Sequence, residues 1–303
     1  MSLDCQTHYL KYRTHIGIRI LGIYPLESLF GGDTMDTEQP DKILLFIPMY
    51  NCRAQIIRVL SKIDPELCSY ISEMIIVNNR STDDGEQTVI DYLKENEMPI
   101  KVSVLRNKEN YGLGGSHKVA FRYGLENGFD YLIVLHGDDQ ASIEDLKPLL
   151  VNGGYRNFDC LLGARFMKGS VLEGYSRFRT FGNRVYNILF SIVTHKRVYD
   201  LGSGLNMYNL KMFKDGFHIK YADNLEFNYC MILGSSYYKH NCEYFPISWR
   251  EEDQKSNVKM MSQATHVLRM LMSYAIRKKR FVTSEHRTKI VESYDFDIIY
   301  TSE

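Results

Sequence analysis

The sequence lacks an excess of charge of either sign and lacks closely paired cysteines. Lys plus Arg and Asp plus Glu number 37 each in 303 residues, so the overall balance does not indicate a nucleic-acid partner. The six cysteines show no C-x-x-C spacing, which argues against a zinc site and, more weakly, against a disulfide framework. This cysteine pattern favours a reducing, cytoplasmic location.

Long apolar runs and several nucleotide or hydrolase motifs are also missing. No run reaches the roughly 18 apolar residues of a membrane-spanning helix, and the N-terminus lacks the ordered regions of a signal peptide. We therefore expect a protein that is not integral to a membrane. No G-x-x-x-x-G-K-[ST], G-x-G-x-x-G or G-x-S-x-G motif occurs, which argues against a P-loop, a dinucleotide fingerprint and an α/β-hydrolase site.

Four short apolar runs alternate with helical patterns in the first half of the chain. The runs are Ile43–Ile47, Met74–Val77, Val102–Leu105 and Tyr131–Leu135. Apart from Ser103 they are apolar, as in strands buried on both faces, whereas the segments between them repeat apolar residues at intervals of three and four. The alternation predicts an α/β fold with a mostly parallel, Rossmann-like central sheet and helices on both faces.

Weaker patterns predict further elements and three regions. A glycine-rich loop is expected over Asn107–Gly115 before a helix. The other candidates are strands at 160–162, at 205–208 on a sheet edge and at 244–249, and helices at 181–192 and 226–233. The regions are an N-terminal extension (1–40), the α/β domain (41–250) and a C-terminal helical region (251–303).

The C-terminal region contains an amphipathic pattern from 262 to 276, followed directly by the basic residues Arg277–Arg280. One interpretation is a helix lying on an anionic membrane surface. The other is a helix packed on the domain, with the basic residues complementing its C-terminal dipole. The pattern leaves both open.

Polar residues follow each buried run, and a parallel sheet would bring them to one edge. His136, Asp138 and Gln140 follow the fourth run. In an extended segment these three side chains point to one side and could ligate Mn²⁺ or Mg²⁺, with the imidazole favouring Mn²⁺. Asp139 would point away and hold a neighbouring loop. An ordinary turn after a strand is the alternative.

These segments resemble a known family. In chain order they are Ile47-Pro-Met-Tyr-Asn51, Ile76-Val-Asn-Asn-Arg-Ser-Thr-Asp83, Asn110-Tyr-Gly-Leu-Gly-Gly115 and His136-Gly-Asp-Asp-Gln140. Their order and spacing are similar to those of inverting family-2 glycosyltransferases with the GT-A fold. Four later segments resemble the dolichyl-phosphate mannose synthase branch, here without transmembrane helices: Leu162–Phe166, Arg179–Asn183, Asp200–Gly204 and Phe245–Arg250.

The resemblance implies a role for individual residues. The nucleoside diphosphate sugar would be bound by Pro48, Tyr50, Asn51, Asn79, Ser81, Asp83, Gly114, Lys118 and Asp138. The acceptor would be bound by Arg165, Arg177, Arg179, Trp249 and Arg250. The metal ligands would be His136, Asp138 and Gln140. The catalytic candidates are Asp138, Asp223, Glu226 and Arg165, although Asp223 and Glu226 could equally be acids near the start of a helix.

The resemblance also implies an activity. It is metal-assisted transfer of a hexose, with inversion, from a UDP- or GDP-linked sugar to a polyprenyl phosphate or to a lipid-linked or cell-surface glycan. The expected location is the cytoplasm, in peripheral contact with the membrane face. Two departures from the family pattern motivate an alternative, a non-catalytic sugar-nucleotide-binding or assembly protein: His136 replaces the first acid of D-x-D, and Asn78-Asn79 replaces an acidic pair.

Overall fold

The computed structural model of the chain describes residues 40–251 and 260–302, with side chains from 265 onward in the second range. Residues 41–303 form one compact unit. The predicted N-terminal extension lies outside the described residues, apart from Pro40. In the two described ranges, no helix is both long enough and apolar enough to cross a membrane.

The centre of the molecule is an eight-stranded sheet in the order β10-β3-β2-β1-β4-β7-β5-β8, and β6 and β9 form a small separate sheet. The pairs β1–β2, β2–β3, β1–β4 and β5–β8 are parallel. The strands are β1 (Ile43–Met49), β2 (Glu73–Asn78), β3 (Lys101–Asn107), β4 (Tyr131–Leu135), β5 (Cys160–Ala164), β6 (Val171–Glu173), β7 (Leu205–Asn209), β8 (Cys242–Pro246), β9 (Ser248–Arg250) and β10 (Phe296–Thr301).

Helices cover both faces of the sheet, which confirms the predicted fold class. The helices are α1 (Arg53–Leu60), α2 (Pro65–Cys68), α3 (Gly85–Glu95), α4 (Gly112–Glu126), α5 (Lys147–Val151), α6 (Arg177–Thr194), α7 (Phe227–Tyr237), α8 (Met260–Ile276) and α9 (Lys278–Thr283). Alternate residues of β1 point to opposite faces, as a strand requires: Leu44 and Phe46 pack with α4 and α7, whereas Leu45 and Ile47 pack with α1.

The register of the parallel strands brings their carboxyl ends to one edge. Met49 at the end of β1 lies opposite Asn78 of β2, and Asn78 lies opposite Arg106 of β3. On the other side of β1, Phe46 lies opposite Val134 near the end of β4. The polar segments that follow these four strands therefore start side by side.

The second half of the fold differs from the predicted pattern in three places. β7 is an inner strand, antiparallel to both β4 and β5, and not an edge strand. The single strand predicted at 244–249 is divided at Ile247 into β8 and β9. The region 251–303, predicted to be helical, contains α8 and α9 and also β10, which pairs antiparallel with β3.

The expectation against disulfides is wrong at one pair. Cys160 and Cys242 form a disulfide, with their Cα atoms 4.7 Å apart. These residues are 82 positions apart in the chain, and the parallel pairing of β5 with β8 sets them opposite each other. Sequence spacing carries no signal for such a pair, and the reducing location inferred from that spacing loses its support.

Candidate active site

Main-chain hydrogen bonds join the polar segments that follow the strands. Asn79 N–H donates to the carbonyl of Met49 (2.9 Å), and Gly137 N–H donates to the carbonyl of Pro48 (3.2 Å). His136 N–H donates to the carbonyl of Gly204 (2.8 Å). The edge predicted from the parallel strand order is thus assembled as expected, and the segment before β7 joins it.

The segments after β1 and β2 are held together by side chains that the resemblance assigns to nucleotide binding. Asn51, which has a positive φ of 50°, accepts a hydrogen bond from Thr82 N–H (2.7 Å) and donates its own N–H to Ser81 Oγ (3.1 Å). Asp83 accepts from Arg53 N–H (3.0 Å). These contacts position the two loops and leave Tyr50 half-exposed beside them.

Asn79 links the same edge to the segment after β3. Its Oδ1 accepts from Asn107 Nδ2 (3.0 Å) and from Tyr111 N–H (2.8 Å), and its Nδ2 donates to Asn110 Oδ1 (2.8 Å). The side chain is buried and is engaged at both of its polar atoms. Asn79 therefore holds the glycine segment (Asn107–Gly115) in place, and this role does not depend on a nucleotide.

The glycine segment differs from its predicted form. Helix α4 begins at Gly112, so that the last glycines of the expected loop lie inside its first turn. Gly114 N–H donates to the carbonyl of Asp223 (2.7 Å), and a Cβ atom at Gly114 would meet the carbonyl oxygen of Ala222 and lie 2.6 Å from Phe227 Cβ. The glycine permits close packing against the start of α7.

Lys118 lies one turn further along α4 and is fully buried. Its Nζ donates to Asp223 Oδ1 (2.6 Å), the carbonyl of Tyr221 (2.6 Å) and the hydroxyl of Tyr294 (3.1 Å). Burial lowers the pKa of Lys118, and the hydrogen bond to Asp223 opposes that shift. Two predicted site residues, Lys118 and Asp223, are thus partners of each other and of the C-terminal segment.

His136 and Asp138 lie together at the end of β4. His136 Nδ1 is 4.0 Å from Asp138 Oδ2, and their side chains are 17% and 20% exposed. Burial lowers the pKa of His136 to about 4 and raises the pKa of Asp138 to about 6. The imidazole is therefore neutral near pH 7 and has one nitrogen lone pair available.

The premise of an extended segment from 136 to 140 is wrong, although its conclusion about Asp139 agrees with the structure. Residues 137–139 form a turn, and Asp139 has a positive φ of 58°. Its buried carboxylate accepts from Arg58 Nε (2.7 Å) and also pairs with Lys62 and Arg250. Burial alone would raise the pKa of Asp139, but these cations outweigh it and lower the pKa.

The His136–Asp138 pair has donor atoms of the kind that bind Mn²⁺. With metal–ligand distances of about 2.0–2.2 Å, two donor atoms 4.0 Å apart can contact one ion only from nearly opposite sides of it. Gln140 N–H donates to Asp138 Oδ1 (3.2 Å), which orients the carboxylate. Among the described residues, no group of three or more His, Cys, Asp or Glu could hold a metal.

Arg165, predicted to contact the acceptor, is bound to Asp200. Its Nε and Nη2 each lie 2.8 Å from an Asp200 oxygen, and Nη2 also donates to the carbonyl of Gly202 (2.9 Å). Burial would lower the pKa of Arg165, but Asp200 outweighs it and raises the pKa. The guanidinium carbon lies 4.7 Å from the centre of the buried Trp249 ring. These contacts hold the Arg165 side chain in place between Asp200 and Trp249.

The remaining arginines that were predicted to bind the acceptor have different surroundings and do not share one partner. Arg179 pairs with Glu251 and lies over the Tyr175 ring at 4.7 Å. Arg250 N–H donates to the carbonyl of Gln140 (2.8 Å), and its guanidinium pairs with Asp139, as described above. Arg177, the first residue of α6, is exposed.

The two acids considered for catalysis have different surroundings. Asp223 Oδ1 accepts from both Lys118 and Tyr294, the latter at 2.8 Å. Glu226, at the N-cap of α7, lies 3.6 Å from His266 of α8. Asp223 thus holds several elements together, and Glu226 is the less constrained carboxylate.

Sequence reasoning missed two residues of this region. His117 is buried, its ring centre lies 6.3 Å from that of His136, and burial lowers its pKa to about 3. Its position directly before Lys118 was the only available signal. Tyr294 comes from the far end of the chain, and no local pattern could have indicated its contact with Asp223.

Comparison with known proteins identifies relatives of the chain. The profile of glycosyl transferase family 2 matches residues 45–217. An undecaprenyl-phosphate mannosyltransferase of Micrococcus luteus is 26% identical over 55% of this chain and 66% of its own length. A dolichol-phosphate mannosyltransferase of Pyrococcus furiosus is 26% identical over 46% of this chain and 37% of its own length. Both matches span less than two thirds of the relative.

A solved structure supports the fold independently. Glucosyl-3-phosphoglycerate synthase from Mycobacterium tuberculosis, in complex with Mn²⁺, UDP and phosphoglyceric acid, has a TM-score of 0.53 and 12% identity, with 85% of each chain covered. At this identity the likeness concerns the fold alone. Because the family profile covers more than half of the sequence, the chain belongs to glycosyl transferase family 2 and is a glycosyltransferase with the GT-A fold.

Proposed function

We propose that this glycosyltransferase moves a hexose from a UDP- or GDP-linked sugar to a polyprenyl phosphate, with inversion and assisted by a divalent cation, at the cytoplasmic face of a membrane. The observation that carries the proposal is the partly buried His136–Asp138 pair at the sheet edge, beside the loops after β1 and β2. The edge offers main-chain and amide groups for a nucleotide and one carboxylate for a metal-bound diphosphate.

The names of the relatives support the choice of acceptor. They describe mannosyl transfer involving undecaprenyl phosphate and dolichol phosphate, so a polyprenyl phosphate is favoured over a glycan. The UDP and Mn²⁺ bound to the structural neighbour support the donor class and the metal.

The reaction exchanges one anomeric bond for another. A phosphate oxygen of the acceptor attacks the anomeric carbon from the side opposite the leaving group. The bond between that carbon and the diphosphate oxygen breaks, and its electron pair leaves with the nucleoside diphosphate. His136 and Asp138 would hold a divalent cation, which would supply charge neutralisation for this leaving group.

The chain's own residues position the reactants. An acceptor phosphate is already an anion, so this reaction needs no general base, in contrast to transfer to a hydroxyl. This agrees with the bonding of Asp223, whose Oδ1 already accepts from Lys118 and Tyr294. Arg177 at the start of α6 is exposed and available to an anionic acceptor.

Donor binding tests the proposal without requiring turnover. Thermal unfolding is measured with UDP-, GDP- and dTDP-sugars, each with Mn²⁺, Mg²⁺ or a chelator. We expect one UDP- or GDP-sugar to raise the midpoint only with a divalent cation, because ligand at 100 times its Kd stabilises the native state by about 2.7 kcal/mol.

Asp138→Asn is the matched variant for this screen. It keeps the size of the side chain and removes the anionic ligand, so we expect the metal-dependent shift to disappear while the unliganded midpoint changes little. Absence of a shift with every donor and cation in the wild-type protein contradicts the proposal.

A further inference from the structure

Helix α6 carries large apolar side chains on its solvent side. They are spaced three and four residues apart, which places them on one face of the helix. We call this face the α6 stripe; it consists of Phe178, Phe181, Val185, Ile188 and Ile192. Asn187, Phe190 and Thr194 of the same helix are buried and face the core.

The exposure of the α6 stripe is unusual for such residues. Phe178 is 71% exposed, Phe181 67%, Ile188 59% and Ile192 62%. A contiguous apolar face of this kind marks a surface that meets another apolar phase or partner. Helix α8, which packs against α6, exposes Leu268, Met272 and Ile276 in the same manner.

The charged residues of the two helices are all basic, and the acids Glu251 and Glu226 that contact them come from neighbouring segments. Helix α6 contains three arginines and no acid, and the segment from 260 to 283 contains five Lys or Arg and no acid. Arg179 is paired with Glu251, whereas Arg177 and Arg184 are exposed beside the stripe. Because the whole chain has no net charge, this basic character is local. It is complementary to an anionic surface.

We propose that the α6 stripe inserts into the interfacial region of an anionic lipid bilayer, with the basic residues of α6, α8 and α9 at headgroup level. A helix that combines large apolar side chains on one face with flanking arginines and no acids has the properties of an interfacial membrane helix.

A second copy of the chain fits the stripe less well. Pairing two α6 helices would bring Arg177 and Arg184 of both copies into one interface to which neither helix contributes an acid, and like charges repel there. A surface of anionic lipid headgroups removes this difficulty.

The position of the stripe suits the proposed acceptor. The first stripe residue, Phe178, lies between Arg177 and Arg179 in the chain. These two arginines are candidates for binding the phosphate of the acceptor. The Tyr175 ring lies 4.7 Å from the Arg179 guanidinium carbon and 5.8 Å from that of Arg165. A bilayer against α6 would thus hold a lipid phosphate near Tyr175, Arg179 and Arg165. This use of the surface rests on the proposed function, whereas the lipid contact itself does not.

Vesicle flotation of the full chain tests the contact. The vesicles are phosphatidylcholine with or without phosphatidylglycerol, and they contain no polyprenyl phosphate and no donor. We expect binding to the anionic vesicles that weakens as salt is added, and a loss of at least about tenfold in Phe178→Ser/Phe181→Ser. Val151→Ser/Ile298→Ser is the control, because these side chains are 56% and 58% exposed on other elements.

The outcomes separate the alternatives. Retained binding in the Phe178→Ser/Phe181→Ser variant, with unchanged thermal unfolding, overturns the proposal, as does failure of the wild-type chain to float. A wild-type dimer in solution that this variant converts to monomers, without vesicle binding, assigns the stripe to a second copy and also overturns it. Vesicle binding without sugar transfer contradicts only the proposed function, and transfer without vesicle binding contradicts only this surface.

Discussion

His136 gives the candidate metal site a nitrogen donor. Burial keeps the imidazole neutral, and its Nδ1 faces Asp138 at 4.0 Å. Nitrogen donors favour Mn²⁺ over Mg²⁺, whereas carboxylates suit both ions.

We therefore predict that His136→Asp lowers the preference for Mn²⁺ over Mg²⁺ by roughly tenfold. Calorimetric titration of each ion in the presence of the nucleoside diphosphate measures this ratio directly. Magnesium-supported turnover should be kept or raised in the variant. An unchanged ratio, with both ions still bound, would mean that the imidazole is not a ligand.

Asp139 has a structural task at the same turn. Its buried carboxylate joins Arg58 of α1 and Lys62 of the following turn to Arg250 of β9, and its backbone is left-handed, with φ of 58°. Asp139→Asn removes the charge but tolerates that backbone.

We predict that Asp139→Asn lowers the free energy of unfolding by about 1–3 kcal/mol. The loss does not exceed this range because the three cations are partly exposed and water can solvate them when the carboxylate charge is removed. Urea unfolding of both proteins gives the value. A difference below about 0.5 kcal/mol would show that the three ion pairs contribute little net stability.

At the scale of elements, the packing of α4 against α7 depends on Gly114. We predict that Gly114→Ala destabilises the protein by about 1–3 kcal/mol, because the new methyl group would meet Ala222 and Phe227. Gly182→Ala in α6 is the control: a Cβ there has no neighbour within 4 Å, so the same change should stabilise the helix by about 0.5–1 kcal/mol. Equal effects at the two positions, measured by thermal or urea unfolding, would contradict this packing.

The Lys118–Asp223 pair connects α4, the start of α7 and the C-terminal segment. We predict that Asp223→Asn costs about 3 kcal/mol, since it leaves a buried ammonium without its counter-ion. Combined with Lys118→Met it should cost clearly less than the sum of the single changes, with a coupling of about 1–3 kcal/mol in urea unfolding. Additive costs would mean that the two residues act independently.

The elements that the sequence predicted are those with local signals. The first four strands follow from apolar runs, and their parallel pairing follows from the alternation of strands with helices. The strand β10 was missed because its pairing with β3 joins residues nearly 200 positions apart. Helix α4 was predicted to begin later, since glycines favour loops unless close packing requires them, as at Gly114.

The partners of individual residues were less predictable than the strands. The pattern predicted that His136 and Asp138 lie at the edge where the parallel strands end, but it could not show that Arg165 is bound to Asp200 or that Lys118 is bound to Asp223. Such partners are set by the tertiary fold, because 35 and 105 positions separate them in the chain. A motif therefore indicated a candidate site without giving the bonding of each side chain.

At the scale of the whole molecule, the sheet edge and the α6 stripe are two faces for which we propose a function. The edge carries polar groups for a nucleotide, and the stripe carries an apolar, basic surface. Both are compatible with an acceptor that is a phosphate attached to a lipid. The residues assigned to the donor, the acceptor and the metal stay predictions until binding and transfer are measured.

Sugar transfer to a polyprenyl phosphate tests the central claim most directly. The full chain is incubated with radiolabelled UDP- and GDP-sugars, Mn²⁺ and a polyprenyl phosphate, and the lipid extract is assayed together with the released nucleoside diphosphate. We predict one labelled lipid product formed in equal amount to the released diphosphate, and a loss of at least about 100-fold in Asp138→Asn. Tight, metal-dependent donor binding without transfer to any lipid phosphate or glycan acceptor would contradict the account and favour a non-catalytic sugar-nucleotide-binding protein.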